Sequence, residues 1–237
     1  MLNINNTKEL YQKNIIIPET SDKAAIFIET RCIDIKYVIF NHLYFLDGNF
    51  MLYIFHSIEN ETHIKNEISE LLDINNIIFI KLESDIKTLY DYNSLMLSNF
   101  VYNKLNDDVK HILIFQHDSL MLKKWDSTFN DYDYIGAPWN FLEVGGNGGF
   151  SYRSIILINN TLQHLEYIKK IYNLDSYTNE DVIFSIAAYF LKFKVNTLED
   201  GKLFSVETIY YDDTMACHAI NKYLTSEQVK KLLEIIY

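Results

Sequence analysis

The 237-residue chain has two cysteines, two prolines and seven glycines. Two cysteines cannot form a disulfide framework and suit a reducing, cytoplasmic compartment. So little Pro and Gly leaves scant material for flexible linkers, and a single domain over 1–237 is expected. Cationic residues are also scarce: the formal net charge is -11. That opposes nucleic-acid binding, which needs Lys and Arg to displace phosphate counterions, and docking on anionic membranes. No basic start followed by a long apolar core opens the first twenty residues, so no signal peptide is expected. The longest apolar runs, such as 183–190, are too short to span a bilayer. An anionic substrate would therefore need local positive charge, most simply a divalent cation.

Apolar residues make up 49% of the chain, enough for a sizeable core. Short apolar runs alternate with helical spacing. Strands are expected at 24–29 (AAIFIE), 50–55 (FMLYIF), 76–80 (NIIFI) and 111–115 (HILIF). Helices are expected at 33–46, ending near Asp47-Gly48, at 61–72, with Leu71 on its apolar face, and at 94–105. This order predicts an α/β fold with a mostly parallel sheet covered by helices. Beyond residue 118 the pattern predicts a short strand at 132–137, a glycine-rich turn at 145–149, and an extended start from 150 passing into a helix through about 172. A helix at 179–191 and a C-terminal helix at 225–236 follow, the latter with Glu227 placed for a capping box. Ligands of such sheets bind at the carboxyl ends of the strands, which puts Glu29, Thr30, Arg31, Gln116, His117 and Asp118 on the functional rim.

Four clusters invite a chemical reading. Asp118 follows an apolar strand, as an oxygen ligand of Mg2+ or Mn2+ would; a helix cap or turn explains it equally well. Four of the seven glycines fall in 145–149, a substrate-lining loop or a tight hairpin. Glu180 and Asp181 open a helix, where the macrodipole favours carboxylates and where a general base could also stand; Glu180 should keep its neighbour from being strongly acidic. Cys217-His218 suggests a thiol nucleophile, but adjacent side chains rarely face one another. His218 reads better as a structural histidine or a metal ligand.

Read together, 112–119 (ILIFQHDS), 132–139 (YDYIGAPW), 146–154 (GNGGFSYRS) and 180–184 (EDVIF) resemble a domain-of-unknown-function family of glycosyltransferases of the GT-A type. Upstream, 25–31 (AIFIETR) and 92–97 (YNSLML) are similar to its N-terminal half, so the likeness spans about 24–220. The resemblance implies a single Rossmann-like GT-A domain, with a nucleotide-binding half over about 20–118, an acceptor half over about 119–220 and a C-terminal helix over about 225–237. It implies transfer of a sugar from a nucleotide-sugar donor, UDP-linked by family analogy, to a glycan, protein or lipid-linked acceptor. Asp118 would be the surviving acid of a DxD-type motif and, with His218, would bind Mn2+ or Mg2+. Glu29, Thr30, Arg31, Tyr92, Asn93, Gln116 and His117 would line the donor and its nucleotide. Trp139, Asn147, Gly148, Gly149, Phe150 and Arg153 would line the sugar and acceptor. Asp181, beside Glu180, would be the base of an inverting transfer. The chain departs from the motif at Gln116, where a full DxD has Asp; Arg153, Lys123 and Lys202 are the cations a metal-free enzyme would use. A sugar nucleotidyltransferase is the rival enzyme, but 29–32 (ETRC) lacks the glycine-rich loop it would use. A non-catalytic carbohydrate- or nucleotide-binding module is the other alternative, since 18 Tyr and 15 Phe could stack on sugars.

Overall fold

The computed structural model describes residues 15–69 and 72–234. The α/β architecture is as expected. A six-stranded sheet has the order β3-β2-β1-β4-β7-β6, built from β1 (Lys23–Glu29), β2 (Met51–His56), β3 (Ile77–Lys81), β4 (His111–Phe115), β6 (Tyr134–Ala137) and β7 (Asn147–Ser154). The first four run parallel, and β7 and then β6 join antiparallel. Helices cover both faces. Ala25 and Phe27 pack with α1 (Lys36–Leu46) and α2 (Glu61–Ser69); Ala24 and Ile26 pack with α3 (Leu89–Met96), α4 (Ile155–Gln163) and α6 (Glu180–Phe190). Burial on both faces is why the central strands are continuous apolar runs and not alternating ones.

Several expected boundaries shift. The helix expected at 94–105 is α3, which starts at Leu89 because Thr88 and Asp91 form a capping box. It stops after Met96, where the Ser98 hydroxyl turns back to the Leu95 carbonyl, and a short 3-10 turn follows at Tyr102–Lys104. The expected 145–149 turn is mostly strand: positive φ is confined to Gly145, and Asn147–Gly149 already belong to β7. The helix through 172 divides at His164 into α4 and α5 (Leu165–Ile171). At the C-terminus α9 (Ser226–Leu233) is capped by Thr225 with Gln228; Glu227 instead pairs with Lys231 at 3.2 Å. Residues 235–237, the end of that expected helix, lie outside the described residues, as do Leu71 and residues 1–14.

Five elements were not expected. A second sheet of order β5-β9-β8 joins β5 (Ser119–Met121), β9 (Ala216–His218) and β8 (Ser205–Val206), and α7 (Leu198–Phe204) leads into it. These strands are too short to show a period. A short helix, α8 (Ile220–Tyr223), follows β9. The small sheet positions the site, since β5 continues directly from the rim of β4 and pairs Ser119 with His218.

His42 on α1 props this junction from below. It is fully buried and stacked on Phe115 at 4.1 Å. Its Nδ1 lies 2.8 Å from the Val38 carbonyl and its Nε2 lies 3.1 Å from the Ser119 hydroxyl. Burial pulls the imidazole down to about 4, against the opposing pull of the Val38 carbonyl. Between about pH 6.5 and 4 the unfolded chain therefore holds a proton on His42 that the folded chain lacks. Stability should fall with decreasing pH across this window by up to about 1.4 kcal/mol per pH unit from this residue. Urea unfolding of wild type and His42→Gln between pH 4.5 and 7 checks this. The variant should show the shallower dependence, and equal slopes would contradict it.

Candidate active site at the carboxyl edge of the sheet

β7 runs antiparallel to β4 with Phe150 opposite Phe115. Its first residues therefore meet the loop leaving β4, and Gly148-Gly149 lie beside Gln116–Asp118 at the sheet's carboxyl edge. The two glycines have different neighbours. A Cβ on Gly149 would fall 2.2 Å from His218 Nε2. A Cβ on Gly148 would fall 2.5 Å from Glu180 Oε1 and 2.9 Å from Asp181 Cβ. Consecutive Cα atoms are about 3.8 Å apart, so the strand threads between the imidazole and the acidic start of α6.

On the imidazole side, His218 Nε2 lies 3.1 Å from Asp118 Oδ1 and 3.1 Å from Gln116 Oε1. Its Nδ1 lies 3.3 Å from Glu207 Oε1. Burial opposes a charge on this ring, but the carboxylates of Asp118 and Glu207 beside it prevail and raise its pKa to about 9. Burial likewise works against ionised Asp118, and His218 overcomes it to hold the carboxyl below its ordinary value. Asp118 remains half-exposed while His218 and Glu207 are buried. Among the described residues no three His, Cys, Asp or Glu side chains gather as a metal site. What converges is one carboxylate, one amide oxygen and one imidazole. That donor set fits a hard divalent cation completing its shell with substrate phosphates and water, with Glu207 as the outer carboxylate that orients the ring. A cleft of about 410 Å3 opens beside Asp118, lined by His117, Ala219, Asn221 and Lys222 among others.

On the acidic side, Asp181 Oδ2 accepts the Gly148 N–H at 2.9 Å and Oδ1 accepts the Val182 N–H at 2.8 Å. Burial first, and the charge of Glu180 second, push the Asp181 carboxyl up to about 7 against those N–H groups and Arg153. Glu180 is bound by the fully buried Arg153, with Nη1 at 2.6 Å and Nη2 at 3.0 Å. Arg153 also donates to the Ser151 hydroxyl and lies over Phe184 and Tyr134. Arg153 and Glu180 are thus each other's partners, closed to solvent, so Arg153 does not line the sugar and acceptor as expected. The α6 cap is indirect: Asn93 Oδ1 accepts the Glu180 N–H at 3.2 Å, while its amide donates to Asn179 Oδ1 at 3.2 Å.

The remaining sites divide. Glu29 is buried and takes three bonds from Arg31, from its backbone N–H at 2.8 Å, Nε at 2.8 Å and Nη2 at 2.7 Å. Arg31 Nη2 also reaches His117 Nδ1 at 3.2 Å, and Thr30 exchanges hydrogen bonds with the backbone of Ile86. The first rim is thus braced toward Asp118. The Tyr92 hydroxyl is buried without a hydrogen-bond partner. Trp139 is buried with its ring stacked at 5.0 Å on Phe141, which is exposed. The Asn147 side chain accepts the Gly149 N–H at 2.7 Å and so shapes the glycine pair, while Phe150 is in the core. Lys123 pairs with Asp213 and Lys202 with Glu199, so neither stands free to meet a diphosphate. Cys217 is buried, its thiol pushed up to about 12, which removes it as a nucleophile. Glu207 and Asn196 were missed. Asn196 is buried and binds Gly136 and Gly145, locking the loop before β7; no local pattern marks either residue.

The comparisons with known proteins agree with the fold. A family profile described as protein of unknown function (DUF5672) matches residues 76–218. No curated protein sequence matches the chain. Mouse xyloside xylosyltransferase 1 superposes with a TM-score of 0.57 at 10% identity, covering 86% of this chain and 99% of that one. The yeast (S. cerevisiae) mannosyltransferase Ktr4p in complex with GDP gives 0.52 at 10% identity, covering 78% and 74%. The Streptococcus pneumoniae glycosyltransferase GlyE gives 0.52 at 13% identity, covering 92% of this chain and 61% of that one. At such identities the likeness establishes the fold, which is of the GT-A glycosyltransferase type. Among the described residues no helix is long and apolar enough to cross a membrane.

The close packing of the glycine pair is directly testable. Gly149→Ala should force the His218 ring aside and cost about 1–3 kcal/mol, as overpacking commonly does, by urea denaturation at neutral pH. A variant as stable as wild type would show that the strand does not pass tightly against the imidazole.

Proposed function

For a chain that belongs to the family described as protein of unknown function (DUF5672), chemistry has to be read from the cleft, and we propose that this chain transfers a sugar from a nucleoside-diphosphate donor to an acceptor hydroxyl. One observation carries the reading: the Asp118–His218 pair, whose imidazole proton a divalent ion would displace, and a carboxyl with its pKa near 7, Asp181, face the same two glycines from opposite sides. Glycosyl transfer needs both groups. Negative charge gathers on the departing diphosphate while the attacking hydroxyl must lose a proton.

Asp118, His218 and the Gln116 amide oxygen would hold Mn2+ or Mg2+, which when bound would neutralise the diphosphate as a Lewis acid. Glu207 fixes the ring that faces it, and Lys222 lines the adjoining cleft as a further cation. The Glu29–Arg31 rim and His117, with Thr30, Tyr92 and Asn93 behind, are assigned to the nucleotide and donor. The Asn147 amide is assigned to the sugar, the N–H groups of Gly148 and Gly149 being held by Asp181 and by the Asn147 oxygen. Asp181 is the base. Two backbone N–H groups fix its orientation, and a pKa near 7 balances availability against basicity. Attack from its side, opposite the diphosphate, would invert the anomeric centre. Arg153 cancels much of the Glu180 charge behind it. The whole chain would act as one domain, with a nucleotide half through residue 118. Free Cys32 and Cys217 suit the cytoplasm. UDP is the donor nucleotide the family resemblance suggests; the GDP complex of Ktr4p makes GDP-sugars the comparator in a donor screen.

Asp181→Asn should lower kcat by roughly 10²–10⁴-fold while Mn2+-dependent binding of the nucleoside diphosphate in calorimetry stays unchanged. Wild-type kcat should rise with pH through about 7, as Asp181 loses its proton, and then level. Near-normal turnover of the variant, or a flat profile from pH 5.5 to 8, would remove Asp181 as the base.

A further inference from the structure

Two tyrosines near the start of α6 serve no core. Tyr177 is 79% exposed and Tyr90 is 54% exposed, and their rings lie 6.4 Å apart. Tyr177 stands on a braced turn. Asp175 Oδ1 accepts the Tyr177 N–H at 2.9 Å and the Thr178 hydroxyl at 3.0 Å, and the Asp175 N–H donates to the Thr178 hydroxyl at 3.2 Å. Tyr90 is on α3, which the Asn93 bridge ties to the start of α6. Tyr177 is four residues before Asp181, and Tyr90 three before Asn93, so both rings are anchored to the segment that carries the base. Beside Tyr90 opens a cleft of about 310 Å3, where Leu82, Ile86 and Phe100 alternate with Glu83, Asp91 and Ser94. Ile86 is the residue whose backbone holds Thr30 at the nucleotide rim.

We propose that Tyr90 and Tyr177 form the acceptor subsite, and that its occupant is a neutral carbohydrate. The inference rests on the glycosyltransferase reading, since the acceptor must bring a hydroxyl to Asp181. An exposed aromatic pair offers an apolar face to the C–H side of a pyranose, and the phenol edges meet its hydroxyls. Asp91, Asp175 and Glu83 nearby, with a net charge of -11, repel anionic sugars and anionic lipid headgroups.

The test uses saturation-transfer NMR on the full chain with cellobiose, lactose, maltose and mannobiose, without donor. At least one disaccharide should receive saturation through the C–H protons of one ring face. Tyr90→Ala and Tyr177→Ala should weaken that binding by about tenfold or more, a loss of roughly 1.4 kcal/mol, and Tyr177→Phe should keep most of it. Both positions are exposed, so the variants should melt with wild type. Absence of disaccharide binding by wild type, or binding unmoved by both alanine variants, overturns the proposal. So does a change of oligomeric state in the variants with sugar binding intact, which would make the pair an interface between copies. Hydrolysis of UDP- and GDP-sugars with Mn2+ separates the two claims: tyrosine-dependent sugar binding without any donor hydrolysis would sink the transferase reading and leave a carbohydrate-binding site, whereas hydrolysis unchanged in the variants with no sugar binding would sink the subsite alone.

Discussion

The site depends on two residues that have no side chains. At the start of β7, Gly148 and Gly149 let the backbone pass between the His218 ring and the carboxylates of α6 at distances a Cβ would forbid. Everything else at the carboxyl edge is arranged around that passage. β4 delivers Gln116 and Asp118 next to it, the small sheet delivers His218 from a hundred residues later in the chain, and α6 presents Asp181 to the Gly148 N–H. The N–H groups of the two glycines are taken by side chains, Gly149's by Asn147 and Gly148's by Asp181. The Gly148 bond orients the Asp181 carboxylate, while burial keeps it only weakly acidic.

Two buried charge arrangements make the close approach tolerable. Arg153 sits wholly inside the protein and grips Glu180 with both terminal nitrogens. A buried pair of this kind adds little net stability, since desolvation offsets attraction. Its effect is local: it occupies one of two adjacent buried carboxylates and leaves the other, Asp181, to the N–H groups of Gly148 and Val182. On the opposite side Asp118 and Glu207 flank His218 at its two nitrogens. The two arrangements divide labour by exposure. Arg153 and Glu180 are sealed, whereas Asp118 is half-open to the cleft.

Much of this was legible in the residues. The apolar runs of β1 to β4 are long and buried on both faces, so their strand character shows without any alternation. Asp118 was legible because it ends such a run, and Asp181 because it opens a strongly apolar helix. The glycine cluster was visible, but its geometry was misread: four glycines in five residues look like a turn, while here most of them serve close contact inside a strand. Arg153 looked like a ligand-binding cation because a charged residue in a glycine-rich segment reads as exposed, and nothing local reveals that Glu180 waits for it across 27 positions. Glu207, Asn196 and the strands β5, β8 and β9 escaped for the same reason. Their roles are set by long-range pairing, and two- or three-residue strands carry no periodic signal.

The central claim is that Asp118 and His218 share a cation at the edge of a nucleotide cleft. Anomalous diffraction at the manganese edge, from crystals soaked with Mn2+ and UDP or GDP, tests it most directly. A peak in contact with Asp118 Oδ1 and His218 Nε2, with diphosphate density beside it, is the expected result. Manganese bound elsewhere, or a diphosphate seated away from these two side chains, would contradict it.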